Sequence, residues 1–252
     1  MPKHFRRWAV GLRISLDDRF PRLLPRTTRL YGHKFDLRHP RVSDIIRRAL
    51  LKKSYERPEV EMIRRRILPS DRVVEVGTGI GATALVISDI VGVEKLWSFE
   101  GDPRTLELAQ HNFALNGKQI KAEHAVLWSA PNRPPSVEFS SNAILSGSSL
   151  IPRAGKEITV ATPTRDLDEA LKLHRASAIV LDIEGGEIEL LGQHTELSGI
   201  RTILMETHVR VVGQQANEAM LERLGELGFR VTESVRNGGF LALQRAAPPE
   251  TH

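Results

Sequence analysis

Three side chains able to move a proton or bind a metal stand at the ends of two apolar runs. Asp182 directly follows Ser177–Leu181, and Glu206 and His208 directly follow Ile200–Met205. Short apolar runs of this kind read as parallel strands buried on both faces. Adjacent parallel strands deliver their C-terminal residues into one crevice. Asp, Glu and His gathered there suit two chemistries. One is removal of a proton from a hydroxyl by a positioned base; the other is an oxygen-and-imidazole site for a hard divalent metal. The metal-free base is preferred, because Glu184 is the only obvious further oxygen ligand beside Asp182. Glu187 reads as a first-turn acid that caps or solvates a short helix.

A second constellation lies upstream. Val73–Val76 runs into Gly77, Thr78, Gly79 and Gly81, and helix-type sequence from Ala82 to Ile90 follows at once. Strand, glycine turn and helix form the arrangement that holds an adenosine-type cofactor in doubly wound α/β proteins. Glycines turn the backbone with positive φ and let a ligand approach it closely. The helix start offers unpaired N–H groups. A dinucleotide fingerprint expects the third glycine one residue later, and Glu75, two residues before the first, would repel a pyrophosphate. A carboxylate there suits a cofactor carrying a sulfonium and an ammonium group. The next strand, 95–99, ends in Glu100-Gly101-Asp102-Pro103, and an acid at that position can accept hydrogen bonds from both ribose hydroxyls. The set therefore reads as a site for S-adenosylmethionine (SAM). Glu75 and Gly77 to Gly81 hold the methionine half, Glu100 holds the ribose, and Asp102 assists.

Parallel strands and intervening helices must position these groups. Five strand-type runs alternate with helical periods from residue 71 onward. An antiparallel hairpin, Phe229 to Val235 and Phe240 to Gln244, closes the chain. This is the layout of the class I methyltransferase fold: a mostly parallel, seven-stranded, Rossmann-like sheet with helices on both faces and a C-terminal antiparallel hairpin. Four segments are expected. They are a basic arm (1–28), a hairpin with helices (29–70), the SAM-binding domain (71–245) and a flexible tail (246–252). The Ser-, Pro- and Gly-rich stretch 129–155 reads as a long irregular loop covering cofactor or substrate.

Composition narrows the function further. The chain of 252 residues has no cysteine, which excludes disulfides, thiolate zinc and cysteine nucleophiles. Neither a P-loop nor a Gly-x-Ser-x-Gly elbow is present. No apolar run reaches the length of a membrane span, and the basic N-terminus lacks the apolar core of a secretory signal, so the cytoplasm is expected. Residues 1–66 hold 19 basic and 7 acidic residues, whereas the remainder holds 17 and 24. Such an arm could touch nucleic acid, an anionic membrane or a phosphorylated substrate, or could simply present solvated faces.

The segment Leu181-Asp182-Ile183-Glu184-Gly185-Gly186-Glu187 resembles the Asp-Val-Glu-Gly-x-Glu element of the FkbM-type SAM-dependent methyltransferases. Phe99-Glu100-Gly101-Asp102-Pro103 is similar to that family's Phe-Glu-Pro-x-Pro, and Asn112-Phe113-Ala114-Leu115-Asn116 to its Asn-x-x-Leu-Asn. Tyr55-Glu56 and Glu206-Thr207-His208 fit as well, so the resemblance covers about residues 30–245. It implies O-methylation of a hydroxyl on a sugar, lipid or natural-product acceptor. Two positions depart from the pattern: Val180 stands where members usually have lysine, and Glu75 replaces the aspartate before the first glycine. Two other readings compete, an RNA methyltransferase and a non-catalytic SAM-fold module docking on nucleic acid or membrane through the arm.

Overall fold

A computed structural model describes residues 25–142, 157–192, 195–235 and 239–245. Readings placed on residues 1–24, on 143–156 and on the tail after 245 lie outside these segments.

The described chain opens with a hairpin, β1 (Thr27–Leu30) and β2 (His33–Asp36), paired antiparallel. It begins two residues inside the stretch read as arm. Two helices follow, α1 (Asp44–Lys52) and α2 (Arg57–Arg66). Ser43 caps α1 by accepting from the Ile46 amide at 3.2 Å.

The central sheet then forms in the expected alternation. Strands β3 (Val73–Val76) and β4 (Leu96–Glu100) flank α3 (Ala82–Val91). Helix α4 (Pro103–Leu115) leads to β5 (Lys121–His124). Helix α5 (Leu167–His174), capped by Asp166, precedes β9 (Ala178–Leu181). Helix α6 (Glu187–Leu191) leads to β10 (Thr202–Glu206), and the short α7 (Val209–Val212) runs into α8 (Gln214–Glu226). The hairpin β11 (Phe229–Val235) and β12 (Phe240–Arg245) closes the order. The seven strands lie β11-β12-β10-β9-β3-β4-β5, all parallel except β12, which runs antiparallel to both neighbours.

Strand periodicity divides the core. Val73, Ala178, Val180, Leu204 and Phe240 face a layer built on α1 to α4. Val74, Val76, Ile179, Leu181, Ile203 and Met205 face a layer built on α5, α6 and α8. Side chains of successive strand residues point to opposite faces, so Glu75, between Val74 and Val76, points toward the N-terminal layer. The hairpin is fastened to that layer by polar contacts: His33 Nε2 lies 2.8 Å from Asp89 Oδ2, and His111 Nε2 lies 3.1 Å from Asp36 Oδ2.

One segment departs from expectation. Within 129–155, Ser136–Asn142 is a strand, β7, which joins β6 (Val126–Trp128) and β8 (Glu157–Asp166) in a separate three-stranded sheet in the order β6-β8-β7. Along β7, Val137 and Phe139 are sheltered while Glu138 is exposed. That is the period-two pattern of a half-buried strand, masked in sequence by its serines. Among the described residues no helix is long and apolar enough to cross a membrane.

Candidate active site

The chain runs from β3 outward to β4 and β5, then returns to build β9 and β10 on the other side. The order of the sheet therefore reverses between β3 and β9, where open α/β sheets place their ligands. A cleft of about 470 Å³ opens there, above the C-terminal ends of the central strands.

The two sides of the switch point touch through main chain. The Asp182 amide donates to the Val76 carbonyl at 3.0 Å, prolonging the ladder past both strands. Gly77 has φ +94°, and a Cβ built on it would stand 2.0 Å from the Asp182 carbonyl oxygen. Only glycine fits that approach.

On the donor side, Glu100 is held by the loop it faces. Its Oε2 accepts from the Gly79 amide and its Oε1 from the Asp102 amide, both at 3.0 Å. Glu75 Oε2 accepts from Ser98 Oγ at 2.5 Å, while its Oε1 is buried with no hydrogen-bond partner. Burial pushes both carboxyls up to about 7, against the hydrogen bonds that favour their ionised forms. Glu75, Gly77, Gly79 and Glu100 line the cleft, joined by Thr83, which hydrogen-bonds Glu75. Thr78, Gly81 and Asp102 stand behind it. Thr78 Oγ1 pairs with Ser98 Oγ at 2.6 Å, and Gly81 packs on the Phe113 ring. Asp102 is fully buried, caps α4 and binds Arg41 at 2.7 Å. The three-stranded sheet closes this end: Phe139 packs on Gly101, where a Cβ would meet its ring at 2.5 Å.

On the other side, one ligand atom each from Asp182, Glu206 and His208 all lie within 4.8 Å of one another. Asp182 lines the cleft beside Glu184, and His208 stands against both, its Nε2 3.8 Å from Asp182 Oδ1 and 3.6 Å from Glu184 Oε2. The ring is oriented from behind. His208 Nδ1 lies 2.9 Å from Glu187 Oε1, which also accepts from the Ile183 amide at 3.2 Å. A carboxylate only accepts, so Nδ1 carries the hydrogen of this bond and the ring is turned with Nε2 toward Asp182 and Glu184. Burial lowers the His208 pKa, but the Glu187 hydrogen bond and the charges of Glu187, Glu184 and Glu206 outweigh it, and the net shift is upward. Asp182 is raised well above the usual aspartate range, by loss of water and by the carboxylates of Glu206, Glu56, Glu184 and Glu187.

Two contributions were not legible as site residues. Glu187 is buried and orients His208; nothing in the spacing distinguishes it from a helix-capping acid. Glu56 and Tyr55 enter the cleft from the N-terminal layer, although they lie some twenty residues before the glycine loop in sequence. Val180 lines the wall between the two sides, so no lysine enters there.

Sheet order, glycine turn and strand-end acids define a class I methyltransferase fold. The family model described as the methyltransferase FkbM domain matches residues 75–231, and the chain belongs to this family. A search of curated proteins found no match. The chain is similar to several solved structures. One is a methyltransferase from Pyrococcus furiosus, at 13% identity, covering 96% of this chain and 99% of that one with a TM-score of 0.46. Another is Aeropyrum pernix fibrillarin in complex with S-adenosyl-L-methionine, at 13% identity, covering 87% and 80% with a TM-score of 0.42. A third is the M. jannaschii tRNA m1G37 methyltransferase, at 11% identity, covering 88% and 57% with a TM-score of 0.47.

Proposed function

We propose that this protein transfers the methyl group of SAM to a hydroxyl of a small acceptor such as a sugar, lipid or natural product. The observation that supports it most is the pairing across one cleft of a glycine loop flanked by Glu75 and Glu100 with the Asp182–His208 pair. The donor site fits the cofactor's chemistry. Gly77 and Gly79 keep side chains out of the cradle, and the free oxygen of Glu75 waits for a cation. When bound, SAM supplies an electrophilic methyl group.

The chain's own task is to align the acceptor and take its proton. Asp182 is the member of the trio that lines the cleft, and loss of water together with the surrounding carboxylates raises its affinity for a proton, as a general base requires. His208 Nε2 faces it from behind, with Glu187 fixing the ring, and Glu206 adds negative charge that keeps the pair basic.

A small acceptor is favoured over a nucleic-acid strand by the charge of the cleft. Seven acidic residues line it, and among the described residues no Lys, Arg or His does. A phosphate backbone would be repelled there. We further propose that the basic N-terminal segment makes an accessory contact with nucleic acid or an anionic membrane. The test is to incubate the full-length protein with methyl-labelled SAM and fractionated whole lysate, containing small molecules, RNA and protein, with and without chelator. Label in an alkali-stable ether that persists with chelator supports metal-free O-methyl transfer. Label only in RNA or protein, or loss of transfer with chelator while SAM stays bound, overturns it.

A further inference from the structure

The N-terminal layer puts an acidic side chain into the cleft that the domain from Glu75 onward does not contain. Glu56 precedes α2 at the position that normally caps a helix, yet makes no side-chain cap there, and its backbone takes the left-handed conformation with φ +47°. For a non-glycine residue that conformation costs energy and is retained where the surroundings require it. It turns the carboxyl over the glycine loop. A Cβ built on Gly79 would lie 3.9 Å from Glu56 Oε1 and 3.8 Å from Tyr55 Oη. Glu75 also reaches the cleft, from the strand that enters the same loop.

Each of these acids keeps one oxygen unmatched. Glu56 Oε2 and Glu75 Oε1 are both buried without a hydrogen-bond partner, and Glu75 as a whole is 1% exposed. A buried, unmatched acceptor is costly unless something supplies a donor. The neighbours of the pair supply little. Glu59, Asp182, Glu206 and Tyr55 act on Glu56 or Tyr55, and Ser98, Thr83 and Glu100 act on Glu75. Only Tyr55, Ser98 and Thr83 among them offer hydrogens.

We propose that Glu56 and Glu75 together seat the ammonium group at the amino-acid end of the methyl donor, so that the N-terminal helical layer completes the donor site. This rests on the SAM reading above. An ammonium carries three N–H donors and no acceptor, which suits two carboxylates approaching from separate elements. Burial holds Glu56 near a pKa of about 8 and Glu75 near about 7 in the free protein. An ammonium between them favours their ionised forms, so seating it displaces protons, and donor affinity rises with pH between about 6 and 8.

The test is calorimetry on the full-length protein with two probes that share adenosine. S-adenosylhomocysteine carries the ammonium, and 5′-methylthioadenosine lacks it. Glu56→Gln, which keeps size and polarity, is expected to weaken S-adenosylhomocysteine by about tenfold or more and methylthioadenosine by less than about twofold. Wild-type binding of S-adenosylhomocysteine at neutral pH, compared across buffers of different ionisation enthalpy, is expected to release protons, and methylthioadenosine to release fewer. Equal weakening of both probes, an unchanged affinity for S-adenosylhomocysteine, or no excess proton release overturns the proposal. If Glu56→Gln does not fold, wild-type proton release alone decides. Failure of the wild-type protein to bind either probe would instead sink the SAM reading itself.

Discussion

The two sides of the cleft are built to different tolerances. On the donor side, Glu100 accepts two main-chain amides at 3.0 Å and Glu75 a hydroxyl at 2.5 Å, so the carboxyls are fixed before any ligand arrives. On the other side, the distances from His208 Nε2 to Asp182 and Glu184 are 3.8 and 3.6 Å, beyond hydrogen-bond range, while Nδ1 at the rear lies 2.9 Å from Glu187 Oε1. The difference follows from the parts. The donor side is a β-strand and its glycine turn, tied into the sheet ladder. The acceptor side is assembled from the segment after β9, the short helix α6 and the residues after β10. Under the proposed function, the cofactor side is fixed in advance and the side that takes the acceptor is held more loosely.

The largest expected effect would break that division outright. Asp182→Ala should lower turnover by about 10²–10⁴-fold on the labelled acceptor, with SAM affinity within about threefold of wild type by calorimetry. A large parallel loss of SAM affinity would mean that Asp182 belongs to the donor side.

The converse substitution is smaller. Glu100→Ala removes the acceptor of two main-chain amides and, in the proposed cofactor site, of the ribose hydroxyls. SAM affinity should fall by about 10–100-fold, as expected for charge-assisted hydrogen bonds worth about 1.5–3 kcal/mol. Turnover at saturating SAM should change little. Unchanged affinity in calorimetry would remove Glu100 from the site.

The smallest effect concerns stability of the free protein. Glu75 and Glu100 titrate near 4.5 when unfolded and near about 7 when folded. Their stabilising contribution is therefore complete below the unfolded value and is lost as pH rises through the folded one. Glu75→Gln should match wild type in thermal melts at pH 4 and exceed it by on the order of 2–4 °C at pH 8. Lower stability of the variant at pH 8 would show that the ionised carboxylate is welcome in the empty cleft.

What the sequence made legible follows the same division. Val73–Val76 and its glycines are adjacent in the chain, so their type and spacing disclose a cofactor loop directly. Asp182, Glu206 and His208 were reachable because strands end where apolar runs end. The roles within the site were harder. Asp102 sits beside Glu100 in sequence, yet its side chain caps α4 and binds Arg41 behind the cleft, because the backbone turns between them. Glu187 looked like a surface acid until the return of β10 placed His208 against it. Ser136–Asn142 hid a strand behind a composition rich in serine, and that strand carries the Phe139 wall. These are long-range juxtapositions, and short-range periodicity does not encode them.

The close approach of Gly77 to the Asp182 carbonyl also bears on how such an enzyme can diverge. The obstacle at that point is main chain on both sides, so no compensating change of a neighbouring side chain can make room for a Cβ. A side chain at position 77 therefore requires the backbone after β9 to move with it, so the glycine loop and the segment that carries Asp182 are held to one shared geometry.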